Sequence, residues 1–361
     1  MCCIEGSCHG ALSGGKASSI RHGFPKTLDL MFMKNSFVFV VWLLAFAAVA
    51  HPVEAASKPV RVFILAGQSN MEGHGYVPSE AKRNGGKGSL EFMVKDEASR
   101  QNFASLVDAK GQWRTRDDVW IRYLDRKGPL TVGYGVKPDR IGPERGLGWE
   151  LGDAFAEPIL LIKCAWGGKS LALDFRPPSA GEIPYSLGEK MDSNIARDSS
   201  SVGKYYRETL ALIESALAEI KQLVPGSDGA YVLEGFAWHQ GWNDRIDDKF
   251  NAEYASNLAH FIRDMRKDLG VAALPFVIAE TGMNGPEESN PRALSLMKAQ
   301  AEVAGLPEFK GNVAFVGTQK FWRKQDESPS GQGYHWNSNA ETYYLIGTSM
   351  GSAIKSLLAA E

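Results

Sequence analysis

The distribution of apolar residues constrains the fold of this chain more than any other sequence feature. Five short runs are apolar and non-alternating, at residues 60–66, 158–165, 231–238, 275–279 and 313–316. Continuous runs rich in Val, Ile and Leu are typical of parallel strands that are covered on both faces. Segments with helical periodicity alternate with these runs, and the alternation predicts a doubly wound α/β sandwich with a mostly parallel sheet.

Three segments carry apolar residues at helical spacing. The first spans residues 206–220 and stops before Pro225-Gly226, and the second spans residues 250–269 and is followed by a glycine. The third follows Asn339, a residue type that is favoured at helix N-caps. These patterns predict the helices that cover the sheet.

The chain divides into a leader, residues 1–55, and a single domain, residues 56–361. Within the domain, residues 73–140 are rich in glycine and charge and have weak periodicity. A long irregular segment that follows a strand is more often a functional loop region than a separate domain. We therefore predict a loop-rich insertion there.

The leader has the pattern of a secretory signal peptide. Lys34 precedes an apolar run at residues 37–50, and Val53-Glu54-Ala55 follows as the expected cleavage site. A membrane span needs about 20 residues, so a retained N-terminal anchor is the weaker alternative. We predict cleavage near Ala55, a true start at Met31 or Met33 with a mis-called extension before it, and a secreted or periplasmic protein without stable membrane insertion.

Composition excludes several classes of partner and fold. Forty Lys and Arg residues stand against 42 Asp and Glu residues, which leaves no basic surplus for binding nucleic acid. Three of the four cysteines lie in the leader, so a disulfide framework is excluded as well. No cluster of His, Cys, Asp and Glu has convincing metal spacing, and we predict that the protein needs no cofactor.

A serine lies in the first turn where ligands would be expected. Ser69 occupies the motif Gly67-Gln68-Ser69-Asn70-Met71, directly after the first predicted strand. Ligands of open α/β sheets bind at the carboxyl ends of strands, and a serine there can act as a nucleophile once a base removes its proton. The alternative is that Ser69 only caps the helix that follows.

Histidine is the expected base. His335 lies in a glycine-flanked loop before the last helix and is preferred over His239, which ends a buried strand. His74 is too close to Ser69 in sequence for this role but could line the site. Asp244 is the first choice for a carboxylate that orients the imidazole, with Asp326, Glu327 or no acid as alternatives.

Candidate donors for a developing oxyanion are the backbone N–H groups of Ser69 and Gly168 and the side-chain amide of Gln240 or Asn70. The glycines around position 168 could equally serve only to make a turn.

Tryptophans accompany three of the strand-end motifs, at positions 166, 242 and 336. They could stack on sugar rings at the rim of a cleft, or they could belong to the core.

Four motifs together resemble a known family. The sequence is similar to the sialate O-acetylesterase-like branch of the SGNH hydrolases, and to the related carbohydrate esterase family six, in the motifs Ile64-Leu65-Ala66-Gly67-Gln68-Ser69-Asn70-Met71, Gly142-Pro143-Glu144, Trp166-Gly167-Gly168 and Trp238-His239-Gln240-Gly241. This resemblance implies a flavodoxin-like three-layer α/β/α fold and metal-free removal of acetyl groups from carbohydrates.

The resemblance also implies roles for individual residues. The nucleophile falls on Ser69, the histidine on His335, and the oxyanion donors on Ser69, Gly168 and Gln240. Two positions depart from the family, since an acid often stands where this chain has Gln332 and a glutamate where it has Trp242. Asp244 is the nearest replacement for the missing acid, and a Ser–His dyad is the alternative.

We therefore predict a serine esterase that releases acetate from an acetylated carbohydrate through an acyl-enzyme. The alternatives are a glycan-binding protein with impaired catalysis and an O-acetyltransferase on the same fold. Further candidates for substrate binding are Asn70, Glu144, His239, Trp242 and Trp336.

Overall fold

Strands and helices alternate through residues 58–360, the part of the chain that the computed structural model describes. In this range the strands are β1 Val60–Gly67, β2 Gly75–Tyr76, β3 Val119–Tyr123, β4 Arg126–Pro129, β5 Arg140–Ile141, β6 Ile159–Ala165, β7 Tyr231–His239, β8 Phe276–Ala279 and β9 Val313–Val316. The α-helices are α1 Ser69–Glu72, α2 Leu90–Lys95, α3 Arg100–Phe103, α4 Glu144–Gly152, α5 Glu189–Arg197, α6 Lys204–Ala218, α7 Ile220–Leu223, α8 Trp242–Arg245, α9 Asp248–Asp268, α10 Pro291–Ala304 and α11 Ala340–Leu358. All five predicted apolar runs are strands.

The central sheet has the strand order β4-β3-β6-β1-β7-β8-β9, and β2 pairs with β5 in a separate small sheet. Neighbours in the central sheet are parallel except for β3 and β4. At the end of β1, Gly67 is in register with Ala165 of β6 and with His239 of β7. The loops that follow these three strands therefore begin at one point, where the strand order reverses and such sheets bind ligands.

The side chains of β1 alternate between two hydrophobic cores. Val62 and Ile64 pack in the core that α6, α9 and α10 cover. Phe63 and Leu65 pack in the core that α4 and α11 cover. Helices thus cover both faces of a mostly parallel sheet, and the predicted three-layer α/β/α fold of the flavodoxin-like SGNH type is confirmed.

Side-chain caps set the starts of two predicted helices. Asn339 accepts a hydrogen bond from the amide of Thr342 at 3.3 Å and begins α11. Asp247 accepts from the amides of Lys249 and Phe250 and begins α9. These bonds satisfy amides that have no partner within the helix, which is why the helices begin at these residues.

The segment 73–140, for which a loop-rich insertion was predicted, also contains regular secondary structure. β3 and β4 lie within it and extend the central sheet at one edge. The sequence pattern missed β3 because its buried residues, Val119, Ile121 and Tyr123, alternate with two half-buried ones. A strand with one better-covered face alternates in this way, whereas continuous apolar runs mark strands that are covered on both faces.

The predicted leader, including its signal peptide and the cleavage near Ala55, lies outside the described residues. Among residues 58–360, every helix is too short or too polar to cross a membrane.

Candidate active site

The turn after β1 carries Ser69 at the carboxyl edge of the sheet. Gly67 has a φ of +151°, and a Cβ at this position would lie 2.2 Å from the carbonyl oxygen of His239. Only glycine allows β1 to approach β7 this closely. Ser69 then opens the single turn of α1, and its carbonyl accepts the amide of Gly73 at 2.9 Å. Ser69 is therefore held by the close packing of β1 against β7 on one side and by the turn of α1 on the other.

Two side chains and two backbone carbonyls form a hydrogen-bond network that holds the loop of His335 against the Ser69 turn. Asn70 donates its amide to the carbonyl of Tyr334 at 3.0 Å. The Tyr343 hydroxyl lies 2.8 Å from the Asn70 amide oxygen and 3.2 Å from the carbonyl oxygen of His335. The structure thus brings to one edge the two residues that the sequence singled out as nucleophile and base, although 266 positions separate them in the sequence.

The protonation state of His335 suits a base. Burial lowers the pKa of this imidazole from 6.5 to about 4, so the ring is neutral at neutral pH. Its Nδ1 is buried and has no hydrogen-bond partner. Within residues 58–360, neither Nε2 of His335 nor the Ser69 hydroxyl makes a hydrogen bond. Catalytic hydrogen bonds often form only in the complex with substrate, so both atoms are available for that step.

Asp244 lies elsewhere in the network than predicted. Its carboxylate accepts the amides of Leu171 and Ala172 at 2.9 to 3.0 Å and the side-chain amide of Gln240 at 2.5 Å. Burial raises its pKa from 3.8 to about 7 against the opposing effect of these donors. The carboxylate therefore joins the loop after β6 to β7, and it makes no contact with Nδ1 of His335 in the described structure.

The other candidate acids are also engaged or remote from the imidazole. Glu327 accepts the amide of Lys324 at 3.2 Å, and Asp326 is an exposed residue of the same short turn. Among the described residues, no carboxylate meets Nδ1 of His335.

The side chain of Gln68, which the sequence interpretation did not single out, connects the loops after β1 and β7. Its oxygen accepts the amides of Gly241 and Asn243 at 3.2 and 3.3 Å and lies 3.3 Å from the amide nitrogen of Gln240. Its nitrogen donates to the side-chain oxygen of Asn243 at 3.1 Å. Asn243 in turn donates to the carbonyl of Gly168 at 2.9 Å, so three strand ends are tied together.

The two oxyanion candidates outside the Ser69 turn differ in their exposure. Gly168 is exposed and has a φ of +69°. The amide nitrogen of Gln240 is enclosed by the carbonyl of Lys169, the carboxylate of Asp244 and the side chain of Gln68. The oxygen of the same amide accepts the hydroxyl of Tyr254 at 3.1 Å. In this structure Gln240 therefore supports the site from the interior.

The loop of Gly168 is held from its other side by Glu72. The backbone of Gly167 lies against this carboxylate, which accepts the hydroxyl of Tyr123 at 3.1 Å. Burial raises the pKa of Glu72, and the Tyr123 hydroxyl and nearby cations oppose the rise. The side chain of Asn243 therefore fixes the carbonyl of Gly168 on one side of the loop, and the Glu72 carboxylate packs against Gly167 on the other.

The predicted aromatic platform divides into a rim residue and a core residue. Trp242 is half-buried and lies against Tyr334, with ring centroids 5.6 Å apart, and under the guanidinium of Arg245 at 3.9 Å. Trp336 is fully buried against Trp322, so it has no face for a sugar. The third tryptophan, at position 166, is half-buried and packs on Tyr205 and Phe175.

Three other substrate-binding candidates are enclosed. Glu144 and His239 have no exposed surface, and Asn70 has 3%. Glu144 accepts the amide of Gly142 and the ammonium of Lys163, both within the core. Burial likewise lowers the pKa of His239 to about 4. These side chains lie beneath the loops of the site and have almost no exposed surface with which to contact a substrate.

A buried cation beneath the site was also missed. Lys163 lies inside β6 with no exposed surface and donates to the carbonyls of Glu72 and Tyr134 and to the Glu144 carboxylate, each at 2.7 Å. A lysine within an otherwise apolar run was the available signal, because a buried ammonium needs partners.

No group of three or more His, Cys, Asp and Glu side chains among residues 58–360 is arranged to hold a metal ion.

Comparison with known proteins identifies the family. Residues 59–354 match the sequence model of the family described as carbohydrate esterase, sialic acid-specific acetylesterase. The chain belongs to this family. The sequence matches none of the curated proteins with which it was compared.

Two solved structures agree with the fold of this carbohydrate esterase, and a third is a more distant match. NanS has 15% identity and a TM-score of 0.51 over 85% of this chain and 99% of its own. A protein from Arabidopsis thaliana has 17% identity and a TM-score of 0.50 over 83% of this chain and 99% of its own. A carbohydrate acetylesterase from Xanthomonas citri has 14% identity and a TM-score of 0.49, with 83% and 57% coverage.

Proposed function

We propose that this carbohydrate esterase releases acetate from an O-acetylated glycan, with Ser69 as nucleophile and His335 as general base. The observation that carries the proposal is the bond from Asn70, the neighbour of Ser69, to the carbonyl of Tyr334, the neighbour of His335. It joins the two loops that the reaction needs at the carboxyl edge of the sheet.

The proposed reaction has two halves. The Ser69 hydroxyl attacks the acetyl carbonyl while Nε2 of His335 takes its proton, and the sugar hydroxyl then leaves with that proton. Water attacks the acyl-enzyme with His335 again as base, and acetate departs as the Ser69 hydroxyl is restored. A neutral imidazole is required at the start, which agrees with the lowered pKa of His335.

The backbone amides of Ser69 and Gly168 are proposed to bind the oxyanion. The hydrogen bond from Asn243 to the carbonyl of Gly168 and the packing of Gly167 against Glu72 hold this loop before substrate arrives. Donors that need no rearrangement stabilise a developing charge best. Gln240 is proposed to contribute indirectly, through its bonds to this loop and to Gln68.

Trp242 is proposed to contact the sugar. It is half-buried beside the loop of His335, and Arg245 and Tyr334 hold its ring in place. An amphipathic ring at a rim can stack on the apolar face of a sugar. We also propose that the acetylated glycan is met outside the cytoplasm, after cleavage near Ala55.

The decisive experiment compares Ser69→Ala with the wild-type enzyme on an aryl acetate and on a panel of O-acetylated glycans, including acetylated sialic acid, acetylxylan and acetylated pectin. Loss of one triad member in serine hydrolases lowers kcat by roughly 10⁴-fold or more. We expect a loss of this size, together with loss of labelling by a fluorophosphonate probe.

The matched control is Ser356→Ala, since Ser356 is an exposed serine of the last helix, far along the chain from the turn. It should keep wild-type turnover and labelling. Unchanged acetate release in Ser69→Ala would refute the nucleophile. Glycan affinity without acetate release would favour a binding protein, and acetyl transfer to a sugar hydroxyl would favour a transferase.

A further inference from the structure

The imidazole of His335 is covered by a second histidine. The rings of His74 and His335 are nearly parallel, with an interplanar angle of 13°, and their centroids are 3.6 Å apart. His74 follows Ser69 by five residues, so the stacked pair joins the nucleophile's own segment to the loop of the base. The contact is face to face, and it leaves Nδ1 of His335 without a partner.

The usual means of orienting a catalytic imidazole is missing among the described residues. A triad carboxylate would accept a hydrogen bond from Nδ1 in the plane of the ring. Asp244 is engaged by Leu171 and Ala172, and the position three residues before His335 is the exposed Gln332. Something else must hold the ring in one orientation.

His74 is itself held firmly. A Cβ at Gly73 would lie 2.0 Å from the Cα of Gly142, so the backbone before His74 is packed tightly against that glycine. The backbone of His74 also lies beside the hydroxyl of Tyr343, the same group that is 3.2 Å from the carbonyl oxygen of His335. One tyrosine is therefore close to both backbones at the point where the two rings stack.

We propose, as an extension of the proposed esterase function, that His74 positions the His335 imidazole through its ring face and so takes the place of a triad carboxylate. The two rings cannot both carry a positive charge at this distance, so only one of them takes up the proton of the serine hydroxyl during the reaction.

The surroundings assign that proton to His335. The charged side chains with the largest effect on His74, apart from His335, are the cations Arg140, Lys163 and Lys137, and the neutral Tyr343 hydroxyl lies beside its backbone. Burial, the neighbouring His335 and these cations lower the pKa of His74 to about 3. His74 therefore stays neutral and offers an aromatic face to the imidazolium that forms, which is a favourable cation–π arrangement.

Two substitutions distinguish the effect of the aromatic face of His74 from the effect of its ring nitrogens. His74→Phe keeps a flat aromatic face and the shielding of His335, whereas His74→Ala removes both. We expect His74→Ala to lower kcat about tenfold with little change in KM, since an aromatic pair contributes up to about that factor. His74→Phe should retain most of the wild-type kcat. His260→Ala, a histidine of α9 that bonds Ser179, is the matched control.

A second readout does not depend on esterase activity. With labelled histidine, NMR titration of His335 should give a pKa near 4 in the wild type and in His74→Phe. In His74→Ala, water reaches the ring, and the pKa should rise toward its ordinary value of about 6.5. The acid limb of the profile of kcat/KM against pH should move in the same direction.

An unchanged His335 titration in a folded His74→Ala would overturn the inference, as would a His74→Phe that is as impaired as His74→Ala. Circular dichroism and a thermal melt establish folding, and His74→Gln replaces His74→Ala if that variant does not fold. Failure of the proposed function would appear instead as Ser69-independent turnover, with the NMR result unaffected.

Discussion

Replacing Lys163 with methionine tests whether a buried ion pair supports the floor of the active site. Lys163 and Glu144 both have no exposed surface, and the ammonium donates to the Glu144 carboxylate and to two carbonyls at 2.7 Å. Methionine fills similar space, but it leaves the Glu144 charge buried with only the amide of Gly142 as donor. Removing one partner of a buried pair typically costs about 3–5 kcal/mol.

That cost is a large part of the free energy of unfolding of a typical domain, about 5–15 kcal/mol. Urea unfolding followed by tryptophan fluorescence measures the loss of stability, and the m value should be the same in the wild type and the variant. Lys163 also holds the carbonyl of Glu72 at the end of α1, so kcat should fall in the same variant. The matched control is Lys127→Met, whose partner Glu219 is exposed, where a loss of about 1 kcal/mol or less is expected.

A double variant separates charge from packing. Adding Glu144→Gln to Lys163→Met removes the uncompensated charge and keeps an acceptor for Gly142. The double variant should recover about 1–3 kcal/mol relative to Lys163→Met alone. A single-variant loss below about 1 kcal/mol, or no recovery in the double variant, would refute the reasoning.

Two further predictions concern pH and the tryptophans. The pKa of His239 is about 4 in the folded protein and 6.5 ordinarily, so the unfolded chain binds more protons than the folded one between these pH values. The free energy of unfolding should therefore fall as the pH drops from about 6.5 to 4. Urea unfolding at pH 5 and at pH 7 should show a smaller fall in His239→Phe than in the wild type. Trp242→Ala should raise KM for glycans with little change in the free energy of unfolding. Trp336→Ala should instead lower the free energy of unfolding by about 3–5 kcal/mol. The reverse pattern would contradict the positions of Trp242 at the rim and Trp336 in the core.

Much of the fold could be predicted from local pattern. The continuous apolar runs correspond to β1, β6, β7, β8 and β9, and the Asn339 cap marks the start of α11. β3 and β4 were missed because their residues alternate in burial, and a strand with one better-covered face needs no continuous apolar run. A parallel sheet also determines which loops meet, which is why Ser69, Gly168 and Gln240 could be grouped from their positions after strands.

The partners of individual polar groups could not be predicted in the same way. Asp244 follows Gln240 closely in sequence, yet its carboxylate oxygen accepts hydrogen bonds from the amides of Leu171 and Ala172, which are more than 70 positions away. Trp242 and Trp336 have the same residue type and similar motifs, but one lies at the rim and the other in the core. Nor did any spacing predict that His74 would stack on His335.

The amino-acid sequence alone determined the layered α/β architecture and the edge where chemistry would gather, because periodicity and glycine placement act on neighbours along the chain. Only the tertiary structure decided which carboxylates are already engaged, which tryptophan faces solvent and which ring covers His335. Those outcomes depend on burial and on contacts between residues distant in sequence, and the energy of a polar group is set by the partners it meets after folding.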